Sequence, residues 1–159
     1  MTSRCTHQPE SRLPTTPEVA AGLEAASARL AALGGQLTRP RRRVLELLLR
    51  AGAPTKAYDL VNGFHPDHRL AKPATIYRAL HFLEASGLVS RLASNKSYVA
   101  SEVARPGSPA AFLLCDCCGA CRQISLPAVS LGTATTAAGY TIARVTIEAH
   151  GLCAACRPS

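Results

Sequence analysis

The chain predicts an α+β fold in two parts: a helical N-terminal module closed by a β-hairpin, then a small α/β module held by cysteines. Three observations carry this. Apolar residues recur at helical spacing in four segments between Pro17 and Leu88. Strand-like alternation around a polar turn follows from Val89 to Val99. Two Cys-x-x-Cys pairs, Cys115/Cys118 in CDCCG and Cys153/Cys156 in GLCAAC, stand 34 residues apart in the last third.

The elements follow in order. Residues 1–16 are polar and Pro-rich and read as a disordered tail. The first helix has Thr16 as its expected N-cap, Pro17 in its first position and Leu23, Leu30 and Leu33 on one face; Gly34-Gly35 end it. The second follows Thr38, with Val44, Leu45, Leu48 and Leu49 as its apolar face. Arg41, Arg42 and Arg43 crowd its first turn, where positive charge opposes the helix dipole by a few tenths of a kcal/mol each, roughly. Something other than helix stability must hold them there. A short third helix is expected to be capped by Thr55 and to end near Gly63.

The segment FHPDHRLAK is a loop, and KPATIYRALHFLEASGLV is the fourth helix. Pro73 suits its first turn, Ile76, Leu80 and Leu83 form the buried stripe, and Gly87 terminates it. Val89, Leu92, Tyr98 and Val99 then flank the turn Ser94-Asn95-Lys96 as a two-stranded wing. Helices followed by a basic hairpin make a winged helix-turn-helix, expected over residues 17–101, whose recognition helix enters the major groove of DNA.

Residues 102–110 read as a linker and 111–159 as a β-α-β-β-like domain. Its strands are expected at AFLLCD, CRQISLP and YTIARVTIEAHGLC, with Ile142, Val145 and Ile147 prominent in the last. LPAVSLGTATTAAG is the helix candidate, weakened by Gly132 and three threonines.

Charge follows the same division. Gln36–Ser101 holds eleven Lys/Arg against four Asp/Glu, whereas Glu102–Ser159 holds four against three. A basic module beside a near-neutral one favours a nucleic-acid partner. The fourth helix taken alone is an ordinary amphipathic helix with a solvated face; beside the wing and the charge it reads as a DNA-reading helix. Lys72 and the helix N-terminus suit a phosphate, Thr75 lies off the apolar stripe, and Tyr77 and Arg78 suit phosphates or base edges. No segment has the length or apolarity of a membrane span or the h-region of a secretory signal, so the expected location is the cytoplasm, with reduced thiols. No Ser-His-Asp pattern, phosphate-cradling Gly loop or carboxylate pair points to catalysis.

Four gathered thiolates form the closed tetrahedral set that structural zinc prefers. An iron–sulfur cluster also takes four cysteines, but a small domain poor in aromatics gains most from a zinc staple. Cys118 and Cys121 form a competing Cys-x-x-Cys; Gly119 after Cys118 selects the Cys115/Cys118 knuckle and leaves Cys117 and Cys121 as spare thiols. His65 and His68, around Asp67, together with His81 and His150 are the remaining candidates for a regulatory metal; His150, just before Leu152-Cys153, also reads as a ligand of the cysteine site or a group that orients one.

The chain resembles the ferric uptake regulator superfamily, and within it the zinc uptake regulator branch. The resembling residues are LTRPRRRVLELL from Leu37, AYDL from Ala57, AKPATIYRALHFLEASGLV from Ala71, SYV from Ser97, CDCCG from Cys115 and IEAHGLCAAC from Ile147. The resemblance implies a homodimeric, metal-dependent repressor that binds palindromic AT-rich double-stranded DNA before metal-uptake genes, with zinc-responsive control of zinc uptake as the leading reading. Regulators of this kind that answer iron or peroxide, or bind DNA constitutively, are the alternative within the class. A zinc-binding interaction module without DNA binding is the alternative outside it. The resemblance also implies that Cys115, Cys118, Cys153 and Cys156 hold one structural zinc per subunit, that Tyr77 and Arg78 contact DNA from the recognition helix, and that Arg41 and Tyr58 approach the DNA backbone. Lys96 in the wing joins this set by its charge. Family members place a second, regulatory metal on ligands whose positions here hold Ser90, Ser101, Ser108 and Gln123. Serine and glutamine are poor zinc ligands.

Overall fold

The computed structural model describes residues 13–67, 69–101, 110–126, 138–141 and 145–157. The expected tail up to Arg12, His68, the linker from 102 to 109 with Ser108, most of the LPAVSLGTATTAAG helix and Ile142 lie outside the described residues. The chain divides into two compact units, one within residues 11–100 and one within residues 101–159.

The first unit contains four helices and a small sheet. Helix α1 spans Thr16–Ala32, α2 Arg39–Ala51, α3 Ala57–Gly63 and α4 Pro73–Ala85. The N-cap of α1 is Thr15, one residue before the expected Thr16. Glu18 decides this: its carboxylate accepts from both the Thr15 backbone N–H (2.6 Å) and the Thr15 hydroxyl (2.8 Å), the reach back available when the acid stands three residues after the cap. Helix α2 starts after Thr38 and ends at Gly52, whose φ of +56° closes the helix with its N–H on Leu48 O.

The periodic apolar stripes meet in one core. Val44, Leu45 and Leu48 of α2 pack with Leu60 of α3 and Ile76, Leu80 and Leu83 of α4, and all are buried. Burial of each large side chain stabilises by about 1.5–3 kcal/mol. Gly22 permits close approach of α1 to α2: a Cβ there would stand 3.1 Å from a Leu49 methyl.

The wing differs from the expectation. Strands β2 (Val89–Leu92) and β3 (Ser97–Ala100) form the hairpin, but a third strand, β1 (Thr55–Lys56), pairs antiparallel with β3 through Thr55↔Tyr98 and Lys56↔Ser97. Thr55 therefore does not cap α3; its hydroxyl donates to Ala53 O, and Lys56 occupies the N-cap position. The wing turn is held by Asn95, whose side-chain oxygen accepts from the Ser97 N–H and hydroxyl, while Lys96 adopts a left-handed φ of +54°.

The second unit is built on a three-stranded sheet in the order β5-β4-β6, where β4 is Ala110–Cys115, β5 is Cys121–Ile124 and β6 is Thr146–Gly151. Consecutive β4 and β5 form an antiparallel hairpin around CDCCGAC, as the successive strands AFLLCD and CRQISLP imply; the domain begins β-β, and the β-α-β-β label does not describe it. Strand β6 runs parallel to β4, in register from Ala110↔Thr146 to Cys115↔Gly151. That register brings the two Cys-x-x-Cys segments out at one end of the sheet.

Candidate metal centre and nucleic-acid interface

Strand β4 delivers Cys115 at its last position, and a turn closed by Gly119, with φ of +74° and its N–H on Cys115 O, returns the chain past Cys118. Strand β6 delivers Cys153 two residues beyond its end, and a turn with the Cys156 N–H on Cys153 O brings Cys156 back. The sulfurs of Cys115, Cys118, Cys153 and Cys156 all lie within 4.8 Å of one another.

A metal fits this cluster. Bonds of about 2.3 Å from zinc to tetrahedral sulfur ligands imply sulfur–sulfur edges of about 3.8 Å. The Cys118 and Cys153 sulfurs, one from each knuckle, are 3.8 Å apart. The four thiols are not alike: the Ala120 N–H draws the Cys118 thiol down, but burial and hydrogen bonding with the Cys115 and Cys153 sulfurs outweigh it and leave that thiol raised. Backbone N–H groups of Cys118 and Cys153 lower the Cys115 thiol to about 6, and the Cys153 N–H lies 3.3 Å from the Cys115 sulfur. Cys121 lies outside the cluster, and burial, with the Glu148 carboxylate beside it, pushes its thiol up to about 11. Its place outside the four-sulfur cluster agrees with the pairing that Gly119 selects.

Among the described residues, His65, His81 and His150 are not gathered into a second centre. Among the described residues the four cysteines are the one group of three or more His, Cys, Asp or Glu ligand atoms close enough to hold an ion. His65 packs edge-on against the Phe64 ring at 4.9 Å, and His81 is exposed on α4. His150 faces two carboxylates, with Nδ1 3.0 Å from Asp116 Oδ1 and Nε2 3.8 Å from Glu148 Oε2. Of the positions where a regulatory ligand was missing, Ser90 is buried in β2 and Gln123 lies in β5.

In the first unit, α4 exposes Tyr77, Arg78 and His81 on the side away from Ile76, Leu80 and Leu83, with Lys72 exposed at its N-cap and Thr75 half-buried. Tyr58 of α3 is exposed, as are Lys96 and Arg91 of the wing. Arg91, absent from the sequence-based set, is marked only by its place in a strand next to the basic turn, opposite Tyr98.

The three arginines of α2 have a structural explanation. Arg41 donates to Gln36 O at 3.0 Å and lies over the Phe82 ring of α4. Arg42 pairs with Glu24 of α1 at 3.0 Å. Arg43 donates to Gly63 O and Phe64 O at the end of α3, at 3.1 and 2.9 Å, and to Glu46 at 3.0 Å. Each arginine ties α2 to a different helix, and Arg43 satisfies carbonyls that the end of α3 leaves open. These contacts offset the unfavourable dipole term.

The model of the ferric uptake regulator family matches residues 32–150. The chain belongs to this family. It is 37% identical over 124 residues to the zinc uptake regulation protein of Escherichia coli (strain K12), covering 76% of this chain and 72% of that protein. It is similar in structure to a zinc uptake regulator complexed with zinc and DNA, with a TM-score of 0.77 and 34% identity over 89% of this chain and 95% of that one. It is likewise similar to holo XcZur, with a TM-score of 0.73 and 34% identity over 84% of this chain and 95% of the other. Within this family frame the four-sulfur cluster and the basic winged helix lie in separate units of one chain. Among the described residues no helix is long and apolar enough to cross a membrane.

Proposed function

We propose that this protein is a zinc-responsive transcriptional repressor that binds palindromic, AT-rich double-stranded DNA as a homodimer and controls zinc-uptake genes in the cytoplasm. The similarity to a zinc uptake regulator held with zinc and DNA, extending over 89% of the chain, carries this reading. The residues supply matching chemistry. Tyr77 and Arg78 are presented for the major groove, where arginine reads guanine O6 and N7. On this reading Lys72, Tyr58, Arg41 and Lys96 hold phosphates, and Thr75 adds a short hydroxyl on α4. Cys115, Cys118, Cys153 and Cys156 are the ligands of one structural zinc per subunit. Bound zinc supplies a cross-link whose binding free energy counts as folding free energy, on the order of 10 kcal/mol. The reading assigns no catalytic residue.

A second reading is favoured by one observation: serine or glutamine stands at Ser90, Ser101, Ser108 and Gln123, where regulators of this family place a second metal. It is a repressor that holds its structural zinc but binds DNA without regard to free zinc. Deleting the gene and measuring transcripts in zinc-replete and zinc-starved cells tests both. Zinc-uptake transcripts that rise on deletion only in replete cells support the first reading, and a rise in both conditions supports the second. Unchanged transcripts contradict repression of these genes.

A further inference from the structure

The parallel register of β4 and β6 ends at Cys115↔Gly151, and one more backbone bond, Asp116 N–H to Gly151 O at 2.8 Å, extends it into the first knuckle. Beyond that bond the strands give way to two separate turns, each contributing two of the four clustered cysteines. A side-chain contact crosses between them: His150, the neighbour of Leu114 in the register, reaches Asp116 with Nδ1 3.0 Å from Oδ1. Asp116 stands inside the first Cys-x-x-Cys, and His150 stands three residues before the second.

A second carboxylate stands on the other side of the ring, beyond hydrogen-bond length. Glu148, two residues back along β6, puts Oε2 3.8 Å from His150 Nε2, and its side chain is only 15% exposed. A mostly buried carboxylate is a fixed neighbour, whereas an exposed one moves freely. Glu148, His150 and Asp116 therefore form a continuous line from the sheet to the metal-binding turn.

We propose that His150 and Asp116 form a clasp that sets the two knuckles in register and slows the loss of their metal, with the Glu148 carboxylate standing on the far side of the imidazole. His150 is on this view a positioning residue and not a ligand. The inference rests on the reading of the four cysteines as a zinc site. An exposed ion pair contributes little to stability by itself. The clasp acts through geometry: it limits how far the Cys153/Cys156 turn can swing from Cys115, and groups that orient metal ligands typically alter metal affinity by about 10–100-fold.

The test uses the full chain loaded with zinc and follows transfer of the metal to the chromogenic chelator 4-(2-pyridylazo)resorcinol, with bound zinc per subunit counted first. His150→Ala and Asp116→Ala should each retain one zinc and release it about tenfold faster than wild type. The double variant should be no faster than either single one, because both remove the same contact. Asp116→Asn, which keeps an acceptor, should release zinc about as slowly as wild type. Release at the wild-type rate from both alanine variants, or rates that multiply in the double variant, overturns the clasp. A His150→Ala protein that binds no zinc would make His150 a ligand and overturn it too. Wild-type protein that holds no zinc would overturn the zinc-site reading itself, and the clasp with it.

Discussion

The Arg41 guanidinium carbon stands 3.3 Å from the centre of the Phe82 ring, joining the first turn of α2 to the last turn of α4. A cation over an aromatic face is worth about 0.5–1 kcal/mol where solvent reaches it. Arg41 thus has a structural task besides any contact with a phosphate. We expect Arg41→Ala to lower unfolding stability by about 1 kcal/mol and to weaken DNA binding. A cycle with Phe82→Leu, read by urea denaturation, should show that the two losses are not additive. Additive losses would mean that the stacking contributes nothing.

Glu46 sits between Arg43 and Arg50, with N–O distances of 3.0 and 2.9 Å. Burial pushes its carboxyl up, but the hydrogen bonds from Arg50 and Arg43 outweigh burial and hold it below the usual carboxylate range. A carboxyl whose folded pKa is depressed contributes stability above its unfolded pKa and loses it as pH falls through the folded pKa. Glu46→Gln should therefore cost about 0.5–1 kcal/mol at pH 7, and the difference should vanish below the acid range of the carboxyl. Melting temperatures of both proteins from pH 7 down to pH 3 check this. A gap that persists or widens in acid would contradict it.

On α4, Arg78→Ala should cost roughly 1–3 kcal/mol of operator affinity and relax the preference at one base pair. Lys96→Ala in the wing should weaken binding to every sequence alike and lower the salt slope by about one. Fluorescence anisotropy on matched and mismatched duplexes at several salt concentrations separates these two behaviours. Arg78→Ala binding as tightly as wild type would remove α4 from the groove.

The cluster of four sulfurs sets the expectation for Cys156→Ser. Replacing one thiolate should release one zinc per subunit and largely unfold the second unit, at a cost of several kcal/mol out of a total on the order of 10. Cys121→Ser should leave zinc content unchanged, since that thiol lies outside the cluster. Atomic absorption and thermal melts of both variants provide the comparison. A Cys156→Ser protein that kept its zinc and its melting temperature would refute the assignment.

Much of the helical architecture was legible because its period is local. Ile76, Leu80 and Leu83 announce the buried face of α4, and Thr38 and Gly52 bracket α2 closely. Features decided at a distance were not legible. Strand β1 is two residues long, Thr55–Lys56, too short to alternate, and only its pairing with Tyr98 and Ser97 makes it a strand. The inter-helix contacts of Arg41, Arg42 and Arg43 join them to Phe82, Glu24 and Phe64, 18 to 41 positions away, which no window along the chain connects. In the candidate site, spacing and Gly119 picked out the four cysteines that converge. The partners of His150 could not be read, because Asp116 becomes its neighbour only through the parallel register of β4 and β6. Among the described residues, His65 and His81, plausible as ligands by residue type, are not drawn into a cluster with other donors.

The central claim is that zinc controls the grip of this protein on DNA. Its most direct test is the affinity of the full chain, already holding one zinc per subunit, for a duplex selected from random sequence, titrated with buffered free zinc. We expect affinity to rise at least tenfold as free zinc increases, about 1.4 kcal/mol of coupling, and to fall again when the added zinc is chelated. Affinity that stays constant across the titration, with the structural zinc retained, would contradict zinc control.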